Sequence, residues 1–143
     1  MRLSHLSIVA RDADRLAAFY KKVFGCEEIR PGKVISGENV SRGIGLSGAR
    51  IYSSWLSLPE TAGPFLEIHE YAGTRNLTVP SADEPGYRHM SFMVEDIHSK
   101  SAEIVAAGGM KLGDVSNLGT AVRPFLAIYM RDPEGNVIEL EEC

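Results

Sequence analysis

The sequence predicts an α+β fold built from two tandem βαβββ modules, and an internal repeat is the main reason. Residues near the start of the chain recur at a fixed offset of 84 positions. The recurring residues are His5, Ser7, Asp12, Ala18 and Gly25, which return as His89, Ser91, Asp96, Ala102 and Gly109. Within each copy a period-two pattern is followed by a helical apolar pattern. Since each copy of a repeat is one supersecondary unit, we expect one domain over 1–143, with modules 1–71 and 87–143 joined by a linker over 72–86.

The elements of the first module follow from its local patterns. A half-buried strand is predicted from Leu3 to Val9, where polar and apolar residues alternate. Asp12 can then cap a helix from Ala13 to Phe24, and Gly25 can end it in the left-handed conformation. Three strand-like runs complete the module, at Cys26 to Ile29, Arg50 to Leu58 and Pro64 to Tyr71.

The second module repeats this order. It begins with a strand from Tyr87 to Val94, a cap at Asp96 and a helix from about Ile97 to Ala107 that ends at Gly108-Gly109. Three strand-like runs again follow, near Met110 to Val115, Phe125 to Arg131 and Asn136 to Glu141.

The stretch from Arg30 to Ala49 lies outside this scheme. It holds five glycines and is long for a simple connection between strands. Long loops of this kind are lids or disordered segments, so the stretch is interpreted either as a lid or as a mobile surface loop.

Composition excludes several classes of function. The net charge is −4 and the Lys and Arg residues are scattered, which argues against nucleic acid as a partner. No apolar run approaches the roughly 20 residues that span a bilayer, and the first residues do not resemble a signal peptide. Cys26 and Cys143 form neither a disulfide framework nor a metal-type spacing. A cytoplasmic protein is therefore expected, with Cys26 buried as a small apolar residue and Cys143 at a frayed end.

Each module also ends in a strand with a glutamate at the same place. Glu67 and Glu139 are each flanked by aliphatic residues that should face the helices, so alternation turns both carboxylates to the other face. The same argument places His5 and His89 on the non-helix face of the first strands. If the first and last strands of a module are close, each module offers one His and one Glu to a common surface.

Two imidazoles and two carboxylates suit a divalent transition metal, and with a 2+ ion the set is formally neutral. Taken singly, each of the four residues is more often an ordinary polar strand residue. An ordinary role is harder to accept for all four residues together, because they lie at matching places of the repeat. The two glutamates are 72 positions apart, whereas the two histidines are 84 positions apart. The long stretch from Arg30 to Ala49 in the first module accounts for this difference of twelve residues.

Three segments of the chain resemble the vicinal oxygen chelate superfamily, which includes glyoxalase I, methylmalonyl-CoA epimerase, bleomycin-resistance and other antibiotic-resistance proteins, and extradiol dioxygenases. They are Leu3 to Val9, Tyr87 to Phe92, and Arg131 to Leu140 with its Asp-Pro-Glu-Gly-Asn turn. The resemblance covers nearly the whole chain. It implies that the two modules curl into a cleft, and that His5, Glu67, His89 and Glu139 hold one metal ion.

The four residues are closest to the His, Glu, His, Glu set of glyoxalase I. The epimerase carries Gln where Glu67 stands, the dioxygenases use two His and one Glu, and many resistance proteins of this fold bind no metal. Bacterial glyoxalase I holds glutathione with an Arg and an Asn at positions that are Val9 and Tyr71 here. Hemithioacetals, acyl thioesters and α-hydroxy-carbonyl acids therefore all remain open as substrates.

The resemblance implies a metal-dependent lyase or epimerase that moves a proton next to a carbonyl, with Ni, Co, Zn or Mn as the ion. Glu139 is the expected base and Glu67 its counterpart across the substrate. A homodimer is expected, with the site within one chain or shared between two. The alternatives are an Fe(II) dioxygenase and a metal-free binding protein lined by aromatic residues such as Tyr52 or Trp55, of which Trp55 is assigned to the core.

Further residues are predicted to touch the substrate. His69 lies two positions beyond Glu67 on the same strand, so it should face the same way. Arg50, Arg75 and Arg123 lie in or beside loops at strand ends, where a guanidinium could bind an anionic tail.

Overall fold

A computed structural model describes residues 1–60, 62–73 and 78–143 of the chain. The chain divides into two compact units, Met1–Asn76 and Leu77–Cys143, and the boundary falls inside the predicted linker 72–86. In each unit one face of a β-sheet is packed by a helix. Within the described residues, no helix has the length and apolar character needed to cross a membrane.

The first unit contains a four-stranded sheet in the order β1-β4-β3-β2. Strands β1 and β4 are parallel, while β3 pairs antiparallel with both β4 and β2. The elements in chain order are β1 (His5–Val9), α1 (Ala13–Phe24), β2 (Glu28–Ser36), α2 (Glu38–Ile44), β3 (Arg50–Ser57) and β4 (Phe65–Tyr71).

The second unit repeats this arrangement with shorter central elements. Its sheet has the order β5-β9-β8-β6, with β7 also paired to β8, and again the first and last strands are parallel. The elements are β5 (His89–Met93), α3 (Ile97–Ala106), β6 (Met110–Lys111), β7 (Ser116–Asn117), β8 (Leu126–Arg131) and β9 (Val137–Glu142). The run predicted from Met110 to Val115 is thus shorter than expected.

Both helices begin at the predicted caps. Asp12 accepts a hydrogen bond from the backbone N–H of Arg15 at 2.9 Å, and Asp96 does the same for Ser99 at 2.9 Å. The last strands supply a second acceptor at each helix start. Glu70 Oε2 accepts from Ala13 N at 3.0 Å, and Glu142 Oε2 accepts from Ile97 N at 2.7 Å. A carboxylate near the N-terminus also complements the helix dipole.

The expectation that residues 30–49 form one long loop is wrong. Strand β2, expected to end at Ile29, continues through this stretch to Ser36, and α2 follows from Glu38 to Ile44. Gly32, which suggested a loop, lies within the strand, where a Cβ atom would collide with the ring of Tyr52. Two other glycines take positive φ angles at the ends of α2, Gly37 at 114° and Gly45 at 71°.

The predicted Asp-Pro-Glu-Gly-Asn turn joins β8 to β9 and is closed by Asp132, which is 3% exposed. Its Oδ1 accepts from the backbone N–H groups of Glu134 and Asn136 at 2.9 Å, and its Oδ2 accepts from Asn136 Nδ2 at 2.8 Å. Gly135 has a φ of 95°. This network fixes the register in which Tyr129 lies opposite Glu139.

The two cysteines should differ in reactivity. Both are free, and Cys26 is buried while Cys143 is exposed. Burial raises the pKa of Cys26 to about 11, so at pH 8 only about one thiol in a thousand would be the reactive thiolate. A disulfide reagent should therefore label one thiol in the native protein and two in denaturant. Native Cys143→Ser should show no fast reaction, and a fast-reacting Cys26 in that variant would contradict the packing described here.

Candidate functional site

Strand pairing in the first unit brings His5 next to Glu67. Because β1 and β4 are parallel with Ser7 opposite Glu67, the imidazole of His5 lies one pleat away on the same face. Its Nε2 is 3.5 Å from Glu67 Oε2. Leu66 and Ile68 on either side of the glutamate are fully buried, as the alternation predicted. The His5 side chain is 42% exposed and that of Glu67 is 12% exposed, so the pair lies at an accessible surface.

The second unit builds the same pair in the same register. Ser91 lies opposite Glu139 in the parallel β5–β9 pairing. His89 Nε2 is 3.2 Å from Glu139 Oε2, and the side chains are 37% and 10% exposed. Ile138 and Leu140 are fully buried on the opposite face. The repeat therefore conserves the geometry of a His–Glu pair as well as its residue types.

His69 faces the same side as Glu67, as predicted. Its Nε2 approaches Glu67 Oε1 to 3.1 Å, and its side chain is only 14% exposed. That nitrogen is buried and has no hydrogen-bond partner of good geometry among the described residues. The imidazole is thus held beside Glu67 on the same face of the sheet.

The assignment of Trp55 to the core is wrong. Trp55 lies opposite Glu67 in the β3–β4 pairing, and its indole Nε1 donates to Glu67 Oε1 at 2.9 Å. Tyr52 instead faces the helix side, where its hydroxyl donates to Asp14 of α1 at 2.8 Å. The alternation of side chains along a strand predicts that the two rings lie on opposite faces, but it does not say which ring faces the helix. The indole N–H of Trp55 needs a hydrogen-bond partner when it is buried, and Glu67 supplies one.

Sequence reasoning missed Arg30 and Ser53. The Arg30 guanidinium lies 3.5 Å from the centroid of the Trp55 ring, and its Nη2 donates to Ser53 Oγ at 3.0 Å. Ser53 Oγ in turn donates to Glu67 Oε1 at 3.3 Å. Irregular pairing on both sides of Arg30 in β2 places it opposite Trp55. An arginine in a stretch interpreted as a loop gives no sequence signal for such a position.

Glu67 is held in its ionised form by these neighbours. Burial acts to raise its pKa, but the charge of His69, the indole N–H of Trp55 and the charge of His5 outweigh it, so the pKa of Glu67 is lowered.

Glu139 has a different neighbour at the equivalent position. Tyr129 lies opposite it in the β8–β9 pairing, and its ring packs edge-on against His89 with centroids 5.3 Å apart. The pKa of the Tyr129 hydroxyl is raised by burial, by the charge of Glu139 and by their hydrogen bond.

Within its own unit, neither Arg50 nor Arg123 is brought to the site glutamate. Arg50 begins β3, five residues from Trp55, and strand alternation places it on the helix side with Tyr52. Arg123 lies in an exposed turn before β8, where its backbone pairs with Thr120. Arg75 lies outside the described residues.

Among residues 1–60, 62–73 and 78–143, no group of three or more His, Cys, Asp or Glu is arranged to hold a metal ion. Each unit by itself presents a pair that joins an imidazole Nε2 to a carboxylate Oε2. Imidazole and carboxylate together suit Zn, Ni, Co, Mn and Fe, so the chemistry of the donors fits such an ion.

Comparisons with known proteins agree with this fold. A family model described as a glyoxalase-like domain matches residues 5–141, so the chain belongs to the glyoxalase-like domain family. Among solved structures, a glyoxalase family protein from Bacillus cereus is 21% identical with a TM-score of 0.85, covering 99% of this chain and 93% of that one. The predicted α+β fold and the resemblance to the vicinal oxygen chelate superfamily are thereby confirmed.

Two further structures show the range of proteins that share the fold. A fosfomycin resistance protein from Listeria monocytogenes, in complex with Mn(II) and sulfate, is 20% identical over 99% of this chain and 91% of that chain, with a TM-score of 0.57. A glyoxalase I variant from Zea mays is 17% identical over 98% of this chain and 44% of that chain, with a TM-score of 0.67. The superfamily thus includes enzymes with different activities.

Proposed function

We propose that this chain is a metal-dependent enzyme of the glyoxalase I type, which moves a proton at the carbon next to a carbonyl of a small molecule. The observation that carries the proposal is the His–Glu pair that both units present in the same register, with Nε2–Oε2 distances of 3.5 and 3.2 Å. A structural role for each residue would not require the same spacing twice.

One divalent ion would be held by His5, Glu67, His89 and Glu139, with both pairs drawn from one chain or from two copies in a homodimer. Nickel, cobalt, zinc or manganese suits the four donors, and two carboxylates neutralise a 2+ charge. When bound, the ion would supply Lewis acidity toward oxygen atoms of the substrate. Within each unit, the imidazole already directs Nε2 beside a carboxylate oxygen.

Glu139 is the residue that we assign to proton transfer. Its carboxylate breaks the C–H bond next to the carbonyl by accepting the proton, while the electron pair moves toward the carbonyl oxygen. The protonated Glu139 then returns the proton to the neighbouring carbon. The residue as a whole is 8% exposed, which limits exchange with water, and Tyr129 lies opposite it on β8. Glu67 is its counterpart across the substrate.

The remaining assignments concern binding. His69, which lies beside Glu67 on the same face of the sheet, contacts the substrate rather than the metal. Val9 and Tyr71 occupy the positions that serve glutathione in bacterial glyoxalase I, so an acyl thioester or α-hydroxy-carbonyl acid is as good a candidate as a hemithioacetal. We further propose that the protein acts in the cytoplasm.

Metal content tests the ligands. His5→Ala and His89→Ala should each lose bound metal, because each removes one of two imidazoles, whereas His98→Ala, on the exposed side of α3, should keep it. Adding metal should raise the Tm of the wild type, since an ion that binds only the native state stabilises it by RT ln(1 + [L]/Kd). Full metal retention in both site variants would refute the assignment.

Exchange of solvent deuterium into the carbon next to the carbonyl tests the reaction. NMR on metal-loaded protein, with hemithioacetals and acyl thioesters as candidates, should show exchange in the wild type and in Glu103→Gln, a control on the surface of α3. Exchange should fall by about two to four orders of magnitude in Glu139→Gln that still binds metal. Turnover of a catechol with oxygen, and no exchange with any candidate, would instead favour the dioxygenase.

A further inference from the structure

The two oxygens of Glu67 have different surroundings. Oε1 is contacted by the indole N–H of Trp55 at 2.9 Å, by the hydroxyl of Ser53 at 3.3 Å and by His69 Nε2 at 3.1 Å. Oε2 lies on the other side, 3.5 Å from His5 Nε2. One oxygen is therefore tied to β3 and β4, while the other is directed toward the histidine of the proposed metal site.

Arg30 fixes the two groups that donate to Oε1. Its guanidinium stacks on the indole ring at 3.5 Å from the centroid, and its Nη2 hydrogen-bonds to Ser53 Oγ at 3.0 Å. Because Nη2 is the donor in that bond, the hydroxyl proton of Ser53 is directed to Glu67. Phe65 also packs against the indole, with ring centroids 4.3 Å apart. The indole is thus packed by both Arg30 and Phe65.

The second unit conserves the His–Glu pair without this support. Among the described residues, the polar side chains that contact Glu139 are those of His89 and Tyr129. The strand equivalent in place to β2 is β6, which spans only Met110–Lys111 and pairs with Arg131 and Met130 rather than with residues opposite Glu139. The two carboxylates of the repeat therefore differ in how firmly they are held.

We propose that Arg30, Ser53 and Trp55, here called the Glu67 clamp, are positioning residues that hold Oε1 of Glu67, so that this carboxylate offers Oε2 alone to the metal. The inference rests on the proposed function in that the ligand is the metal ion. It explains how the two glutamates divide their roles: Glu67 stays fixed as a ligand, and Glu139, held by fewer donors, keeps the freedom that proton transfer requires.

Titration of metal-free protein with Mn²⁺ tests the clamp. Trp55→Phe keeps an aromatic ring beneath Arg30 but removes the N–H donor, and Arg30→Lys keeps the charge but loses the planar stacked group. Loss of such outer partners weakens metal affinity by about 10- to 100-fold, so Trp55→Phe should bind Mn²⁺ at least about tenfold more weakly, with a smaller loss in Arg30→Lys. Tyr52→Phe, on the same strand but the opposite face, should retain wild-type affinity.

A second readout reports on the clamp without metal. Trp55 is the chain's single tryptophan, so the protein has one indole N–H signal in a ¹H–¹⁵N spectrum. The signal should shift upfield in Glu67→Gln and Arg30→Lys, and it should stay in place in Glu139→Gln. This measurement separates positioning of the carboxylate from a general loss of stability.

The outcomes distinguish the two proposals. Wild-type affinity for Mn²⁺ in both Trp55→Phe and Arg30→Lys, with binding abolished in His5→Ala, would overturn the clamp and leave the proposed function standing. A wild-type chain that binds none of the candidate metals would overturn the proposed function and this inference with it. If Trp55→Phe fails to fold by circular dichroism, Arg30→Lys decides the test.

Discussion

The parallel pairing of the first and last strands in each unit is the constraint on which the site depends. With Ser7 opposite Glu67 and Ser91 opposite Glu139, each histidine lies one pleat from its glutamate and on the same face. A shift of one residue in either pairing would turn the carboxylate into the helix layer, because side chains alternate along a strand. The placement of the His–Glu pair in each unit therefore depends on the backbone hydrogen bonds between the strands as much as on the side chains themselves.

The same two strands also anchor the helices through their other face. Glu70 and Glu142 follow the site glutamates by three positions, and each accepts a hydrogen bond from the first N–H group of its helix. One strand thus carries one carboxylate for the site and another for the helix. Since the helix start restrains the strand, movement of β4 or β9 would disturb capping and the His–Glu pair together.

Much of this arrangement could be predicted because the repeat and the alternation of side chains along each strand can be seen in the sequence itself. The bounds of α1, the caps at Asp12 and Asp96, and the common face of Glu67 and His69 all follow from spacing. Arg30 and the face chosen by Trp55 could not be predicted in that way. Both depend on irregular pairing in β2 and on contacts between strands that are distant in sequence.

The two units have the same His–Glu geometry, but different side chains surround the carboxylate in each. The pair with 3.5 Å separation is surrounded by indole, hydroxyl, imidazole and guanidinium groups, whereas the pair with 3.2 Å separation has a tyrosine. Divergence of this kind is expected where two copies of one unit take different parts in a reaction. In the function proposed above, the metal ion would need both copies of the pair, while proton transfer would need only one of the two carboxylates.

We propose that the two His–Glu pairs bind a single metal ion. The most direct measurement is the ratio of metal to chain, determined by elemental analysis and calorimetric titration on metal-free protein loaded with Mn²⁺, Zn²⁺, Ni²⁺ or Co²⁺. We expect one ion per chain, and loss of that ion when either pair is removed by Glu67→Ala or Glu139→Ala. Two ions per chain that are lost one at a time, or no ion at all, would contradict it.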